Sequence, residues 1–427
     1  MNYTQNRKIM QVTEATLVLG VDIGNQWHYA RAFDWREIEL TRKVFRFSND
    51  LDGYVAFEEW VQNVSEKSAK MAILIGCEPT GYYWFTFAKY VKERGMKLAF
   101  VNPYHVKQSK EMDDNSPRKT DQKDPKTIAK LVTEGRYSFP HIPEGIYAEL
   151  REAISVRDQI VKALNATSSR IQRWLKIYFP EYLEVYKVFD SVSGLAVLKK
   201  VPLPKDVVEL GVDGIVTLWR EKKLRAVGKK RALTLVAAAK RSIGLAGGNC
   251  ARLDLQLLLE DYSEKKEQLD RITAALQEET LKVPNVEKLL AVKGVGIITV
   301  AGFLAEVGDI GRFTSPKQIQ KLAGLEPKEN SSGKHKGRSS ISKRGRRKLR
   351  RLLFQVVLPL IRSNEDFREV YTCYTTRKDN LLKGMQAMIA VSCKVIRIFY
   401  ALLTRGMDYN STRFRADITR PEPAKAA

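Results

Sequence analysis

The sequence predicts an α/β domain followed by a mainly helical chain. Two observations carry this. Residues 14–101 alternate apolar strand runs with helical stretches. From about Pro143 onward, apolar residues recur at steps of three and four, which is helical spacing. A third observation bears on function. The chain has 73 Lys and Arg against 49 Asp and Glu, a net charge of +24, and such an excess suits a polyanionic partner.

At about 150 residues per domain, 427 residues suggest two or three domains. The 44% of hydrophobic residues supply sizeable cores. The 29% that are charged are of both signs, unlike a wholly disordered chain. The opening MNYTQNRKIMQVTEATLV lacks the pattern of a secretory signal. The most apolar window, Gly384 to Leu403, contains Gln386, Lys394 and Arg397. With Lys394 and Arg397 three apart on one polar face, it reads as an amphipathic or core helix and not a membrane span. Cys77, Cys250, Cys373 and Cys393 form no CxxC pair and the four histidines are scattered, so neither a zinc site nor a disulfide framework is expected. The expectation is a soluble, intracellular protein facing nucleic acid.

In the first domain, TLVLGVDIG is a buried strand run, and WHYARAFDW and LTRKVFRFS are its neighbouring strands, with Asn25 and Gln26 at the first turn. Leu51 to Gln62 reads as a helix, and MAILIGCEPTG as a second buried strand ending in a Pro/Gly turn. WFTFAKYVKERG is a helix stopped by Gly95, and MKLAFVNP another strand. This order makes a mixed sheet.

Two long helical stretches follow. One carries Leu150, Ile154, Val161, Leu164, Ile171, Leu175 and Tyr178, the other Leu258, Tyr262, Leu269, Ile272 and Leu276. The three-and-four alternation fits a coiled coil, either as a bundle within one domain or as an antiparallel or dimerising arm between domains. Residues 182–250 between them are rich in Val, Gly and basic residues. The sequence assigns them no fold, although EKKLRAVGKKR is a candidate for nucleic-acid contact. The expected boundaries are 1–142 for the first domain, 143–282 for the arm, 283–410 for a C-terminal domain and 411–427 for a tail.

Four acids stand out. Asp22 ends the first apolar strand and Glu78 ends another, while Asp121 and Asp124 precede a helix. An acid at a buried strand end costs desolvation unless it is paired or holds a metal. Each has an ordinary structural role open to it: turn residues for Asp22 and Glu78, and N-cap for Asp124 with Pro125 opening the helix. Converging acids repel without cations. Two Mg²⁺ ions about 4 Å apart remove the repulsion and clamp a phosphodiester.

Downstream, LLAVKGVGIITVAGFLAEVGDIGRF reads as helix, Gly-rich hairpin, helix. Gly294 and Gly296 flank the turn, either presenting backbone amides to a phosphate or allowing close helix packing. From Arg338 to Arg351 there are eight basic residues and no acid, and the apolar run LLFQVVLPLI follows directly. This favours phosphate contact by a folded segment over a solvated tail. There is no GxxxxGK[ST] loop to bind ATP.

Asp-x-Gly on the first strand, Glu78 after the fourth and Asp121-x-x-Asp124 before a late helix resemble the RuvC-like branch of the ribonuclease H fold. EPTGYYW, VNPYHVKQ and KTDQKDPKTIAKL, with the later AGLEPKEN-SSG and ISKRG…LRRLL, resemble the DEDD insertion-sequence transposases related to the Piv DNA invertase, described as bridge-RNA-guided serine recombinases. Pro125 stands where that family carries a small residue, and proline disfavours helical geometry at Asp124. The resemblance covers about 14–180 and 285–405, leaving 182–250 unexplained. It implies a RuvC-like N-terminal domain, a helical coiled-coil arm and a helical C-terminal transposase domain with a helix-hairpin-helix element. It implies Asp22, Glu78, Asp121 and Asp124 as catalytic ligands of Mg²⁺ or Mn²⁺, and Ser332 as nucleophile with Ser331 as the alternate. Gly294, Gly296, Lys334, Arg338, Lys343, Arg344, Arg346 and Arg347 are the candidate nucleic-acid contacts. The implied partners are element and target DNA, a structured guide RNA and further copies of the chain, from dimer to tetramer. No membrane partner is implied, and the setting is a prokaryotic, nucleoid-associated cytoplasm. The rival readings are a metal-dependent nuclease or junction resolvase using the acids alone, and a non-catalytic nucleic-acid-binding protein.

Overall fold

The computed structural model describes residues 3–79, 81–113, 124–224, 227–328, 331–332, 335–336 and 340–419. The chain divides into two compact units, Met1–Ile142 and Pro143–Ala427.

The first unit runs α1 (Tyr3–Ile9), β1 (Thr16–Asp22), β2 (Trp27–Phe33), β3 (Phe45–Ser48), α2 (Leu51–Lys67), β4 (Ala72–Cys77), α3 (Trp84–Glu93), β5 (Lys97–Val101), α4 (Pro103–Asp113), α5 (Asp124–Thr133) and β6 (Tyr137–Ser138). The six strands form one sheet in the order β3-β2-β1-β4-β5-β6. β1, β4 and β5 are parallel, and β2, β3 and β6 antiparallel to their neighbours. β1 reads as a continuous apolar run because both its faces are covered. Leu17, Leu19 and Val21 pack with Phe57 and Phe87 of α2 and α3, while Val18 packs with Ile128 and Val132 of α5. α2 is capped by Asp50, whose Oδ1 accepts from the Gly53 N–H at 2.8 Å, and it continues past Gln62 to Lys67.

LTRKVFRFS was expected as strand throughout, yet only Phe45–Ser48 is strand. The reason lies in the register. Ala30 pairs with Phe45, whereas Phe33 bridges to Glu39. Three residues of β2 thus face six of the returning chain, and the excess interrupts the ladder.

The second unit begins with α6 (Ile146–Tyr178), then α7 (Tyr182–Val185), α8 (Val192–Lys200), α9 (Pro204–Glu221), α10 (Lys229–Lys240) and α11 (Asn249–Leu281). α6 and α11 have 33 residues each, about 50 Å of helix, and lie antiparallel. Arg157 Nε donates to Thr273 Oγ1, Thr167 Oγ1 to Asp261 Oδ2, and Trp174 Nε1 to the Ala251 carbonyl at 2.9 Å. The coiled-coil spacing therefore closes within the chain. The stretch 182–250, unassigned from sequence, contains α7 to α10 and the start of α11. They cap one end of the pair through a core of Ile171, Trp174, Phe179, Tyr182, Trp219 and Leu235.

The other end of the pair contributes Leu150 and Leu276 to a second core, built on α12 (Val286–Leu290), α13 (Ile297–Val307), α14 (Pro316–Ala323), β7 (Pro327–Lys328), β8 (Ser331–Ser332), β9 (His335–Lys336), β10 (Ser340–Ile341), α15 (Arg347–Ser363), α16 (Glu365–Thr376), α17 (Gly384–Arg405) and α18 (Ser411–Thr419). α17 is long and apolar enough by composition to cross a membrane, but Val391, Val395, Phe399 and Leu402 are buried in this core. Lys394 and Arg397 do not share an exposed polar face as expected. Lys394 is 4% exposed, with Nζ 3.5 Å from the Phe414 carbonyl, because α18 covers it. Residues 411–419, the start of the expected tail, instead form that helix. Phe414 packs on Phe367, and Arg415 pairs with Asp366 and Glu369.

Candidate active site and nucleic-acid interface

The sheet register brings two of the four predicted acids together. β1 and β4 are parallel neighbours and pair up to Val21 with Cys77. Asp22 is the last residue of β1, and Glu78 is the residue that follows β4. Side chains alternate along a strand, so Asp22 lies on the face opposite Val21, the face that α5 covers, and Glu78 leaves the neighbouring strand end beside it. A Cβ on Gly76 would meet Val132 of α5, and a Cβ on Gly20 would lie 1.7 Å from the Pro125 carbonyl oxygen. α5 begins at Asp124 with Pro125 as its second residue, so the third acid enters over the same face. Asp124 is 7% exposed, while Asp22 and Glu78 are half-buried. Asp121 lies outside the described residues.

Carboxylate oxygens are the donors that hard divalent cations take, so the donor set suits Mg²⁺ or Mn²⁺. Among the described residues, no three His, Cys, Asp or Glu side chains are grouped closely enough to hold an ion.

In the second unit, β8 and β9 form a short antiparallel hairpin with Ser331 opposite Lys336 and Ser332 opposite His335. Lys334 and Arg338 lie outside the described residues. The hairpin is carried inside a second one, in which β10 pairs with β7, and the chain then enters α15.

The structure sorts the basic run that follows. Arg346 Nη1 faces Glu306 at 3.4 Å, Lys348 pairs with Asp158 at 3.1 Å, and Arg350 Nη1 donates to the carbonyls of Ala323 and Lys343. These three brace the fold. Lys343, Arg344, Arg347 and Arg351 are exposed and enter no ion pair among the described residues, which leaves them available to a phosphate backbone. Gly294 has φ +97°, and a Cβ there would lie 2.6 Å from Ser363 Oγ. Its backbone thus packs closely against Leu360 and Ser363 of α15. Gly296 has open space around it and caps α13.

Two family models match these same stretches. One, of DEDD-type IS110 transposases, covers residues 19–180. The other, described as transposase IS116/IS110/IS902 family, covers 286–372. Together they span more than half of the chain and include the strand-end acids, the serine hairpin and the basic run. The chain belongs to the IS110/IS116 family of DEDD transposases. Curated relatives agree. The transposase for insertion sequence element IS1111A of Coxiella burnetii is 23% identical over 400 residues, 92% of this chain and 91% of the relative. A probable family 20 transposase of Pseudomonas aeruginosa is 27% identical over 165 residues, 36% of this chain and 46% of its own. The IS110 43.6 kDa protein of Streptomyces coelicolor is 23% identical over 296 residues, 69% and 72% of the two chains.

This transposase carries a charge cluster that sequence reading missed. Arg151 of α6 donates from Nε to the Ala305 carbonyl at 3.1 Å, and its Nη2 is buried without a hydrogen-bond partner among the described residues. Burial, and then the neighbouring Arg346, hold its pKa down to about 10. Arg312 is lowered for the same two reasons and donates to the Val307 carbonyl at 2.8 Å. Glu306 is the acid beside Arg151 and Arg346, and Asp309 the acid beside Arg312. Arg151 and Arg346 are 195 positions apart, and no local pattern announces that they meet.

Proposed function

We propose that this chain is a transposase that cuts and rejoins element and target DNA with Asp22, Glu78, Asp121 and Asp124 as one half of its machinery and Ser332, with Ser331 as the alternate, as the other. The observation that carries the reading is the pair of carboxylates at neighbouring parallel strand ends, under a helix that opens with a third. When bound by these acids, Mg²⁺ or Mn²⁺ supplies charge neutralisation and polarises a phosphate oxygen. The Ser332 hydroxyl attacks the phosphorus, loses its proton and becomes a phosphoserine, and the broken strand leaves as a free 3′ hydroxyl. A hydroxyl is a weak nucleophile at its ordinary pKa, so the cationic surround of Lys343, Arg344 and Arg347 serves to lower the charge at the phosphate. The covalent link conserves the bond, and the 3′ hydroxyl of the exchanged strand reverses the step without ATP. Gly296, Lys334 and Arg338 are further candidate phosphate contacts. A structured guide RNA and a homo-oligomer, dimer to tetramer, complete the reading, in a prokaryotic cytoplasm.

The test traps the protein on supercoiled DNA carrying its element ends. SDS-resistant protein–DNA adducts are expected, and they disappear in Ser332→Ala with Ser331 intact. Cleavage that survives Ser332→Ala would leave a nuclease using only the acids. Unchanged function in Asp22→Asn would leave a non-catalytic binder. Sequencing of copurifying RNA checks the guide.

A further inference from the structure

The C-terminal end of α17, the turn at 407–410 and α18 enclose a cavity of about 420 Å³, within the size range of small-ligand sites. It lies beyond residues 286–372, where the family match ends, and the strand-transfer chemistry above makes no use of it. Its wall is apolar, formed by Ile398, Leu402 and Phe414. Its rim carries Arg397, Arg405 and Arg413, all exposed and none in an ion pair among the described residues. Asp408 also lines it and is bound to Lys288 at 2.8 Å.

Three guanidinium groups around one mouth repel one another, and an anion relieves that cost. Arginine forks match phosphate oxygens bidentately, while an apolar wall with the aromatic rings of Tyr409 and Phe414 in the lining suits a base. A free phosphate would leave the wall unused, and a lipid tail would leave the rim arginines unused. We propose that this cavity binds one nucleotide of a single-stranded segment, with the base against Ile398, Leu402 and Phe414 and the phosphate on Arg397, Arg405 and Arg413. The proposal rests on the reading of the chain as a nucleic-acid enzyme, but it requires no strand transfer.

The experiment irradiates the full-length protein with short single strands carrying one photoreactive base, 4-thiothymidine in the DNA arm and 4-thiouridine in the RNA arm, and maps adducts by mass spectrometry. Adducts are expected between Arg397 and Phe414, with the stronger arm identifying the strand. Their yield should fall about tenfold, the scale of one lost base stack, in Ala401→Trp, which fills the cavity, and in Arg405→Glu, which reverses one rim charge. Arg405 is exposed, so the second variant stands if the first does not fold. Retained binding of double-stranded DNA in either variant shows that the loss is local. Adducts mapping only elsewhere, or yields unchanged in Arg405→Glu, overturn the proposal. Loss of strand transfer in Ser332→Ala with these adducts intact separates it from the catalytic reading.

Discussion

Gly20 of β1 lies directly beneath Pro125 of α5, so close that a Cβ would stand 1.7 Å from the proline carbonyl oxygen. This contact seats the start of α5, and with it Asp124, over the face that carries Asp22. Gly20→Ala must push the start of α5 away from the sheet. The expected cost is about 3 kcal/mol, the upper range for overpacking a tight interior, read as a lowered urea midpoint, with a loss of strand cleavage larger than the loss of fold.

The strand-end acids should show their cation in a binding experiment. Mg²⁺ or Mn²⁺ is expected to raise the melting temperature of the wild type, since a ligand that binds only the folded state stabilises it, and to do so less in Asp22→Asn and Glu78→Gln. Strand cleavage in either variant should fall by about 1,000-fold, the scale of losing a principal charge stabiliser in the transition state. Wild-type activity that persists in chelator would contradict the metal role.

His28 predicts acid sensitivity in the first unit. It is fully buried, with Nδ1 accepting from the Gly24 N–H at 3.1 Å and rings of Phe47, Tyr54 and Phe87 around it. Burial pushes its pKa down from 6.5 to about 4. Between these values the unfolded chain binds a proton that the folded chain refuses, so stability falls as pH drops through the window. The loss reaches about 3 kcal/mol below both values. His28→Gln should flatten this part of the urea-midpoint against pH curve.

Glu306 faces Arg346 and stands near Arg151, and Arg312 is the next positive charge beside that pair. Removing the acid leaves the half-buried guanidinium groups of Arg151 and Arg346 uncompensated, and Glu306→Gln should cost about 1 kcal/mol, the scale of a partly solvated pair. Arg312→Gln in the same chain should restore part of it. Additive losses in the double variant would show that the groups do not interact.

The basic run separates by role in a salt titration. Arg344→Gln and Arg347→Gln should each reduce the slope of log affinity for DNA against log salt by about one with little change in melting temperature. Arg346→Gln should do the reverse, since its guanidinium is engaged with Glu306. Equal slopes in all three would remove the distinction.

Local pattern revealed a good deal of this protein. Apolar runs marked β1 and β4, and acids ending both runs marked Asp22 and Glu78 before any register was known. Three-and-four spacing marked α6 and α11, because a helix must present one apolar stripe to whatever it packs against. The strand 40–44 failed because a ladder depends on the partner's register as well as on composition. Residues 182–250 resisted assignment because their short helices bury their apolar residues against one another and against α6 and α11, which no local window contains.

Amino-acid order alone determined which residues are chemically equipped: carboxylates at strand ends, a serine before glycine, a basic run that contains no acid. Tertiary structure decided which of them are free to act. It placed Glu306 against Arg346 and Asp158 against Lys348, leaving Lys343, Arg344 and Arg347 exposed. It buried Lys394 under α18 and left the arginines near it ringing a cavity. Periodicity reports which face of an element is apolar, whereas the partner of a charge is set by packing between residues far apart in the chain, and that information exists only once the chain has folded.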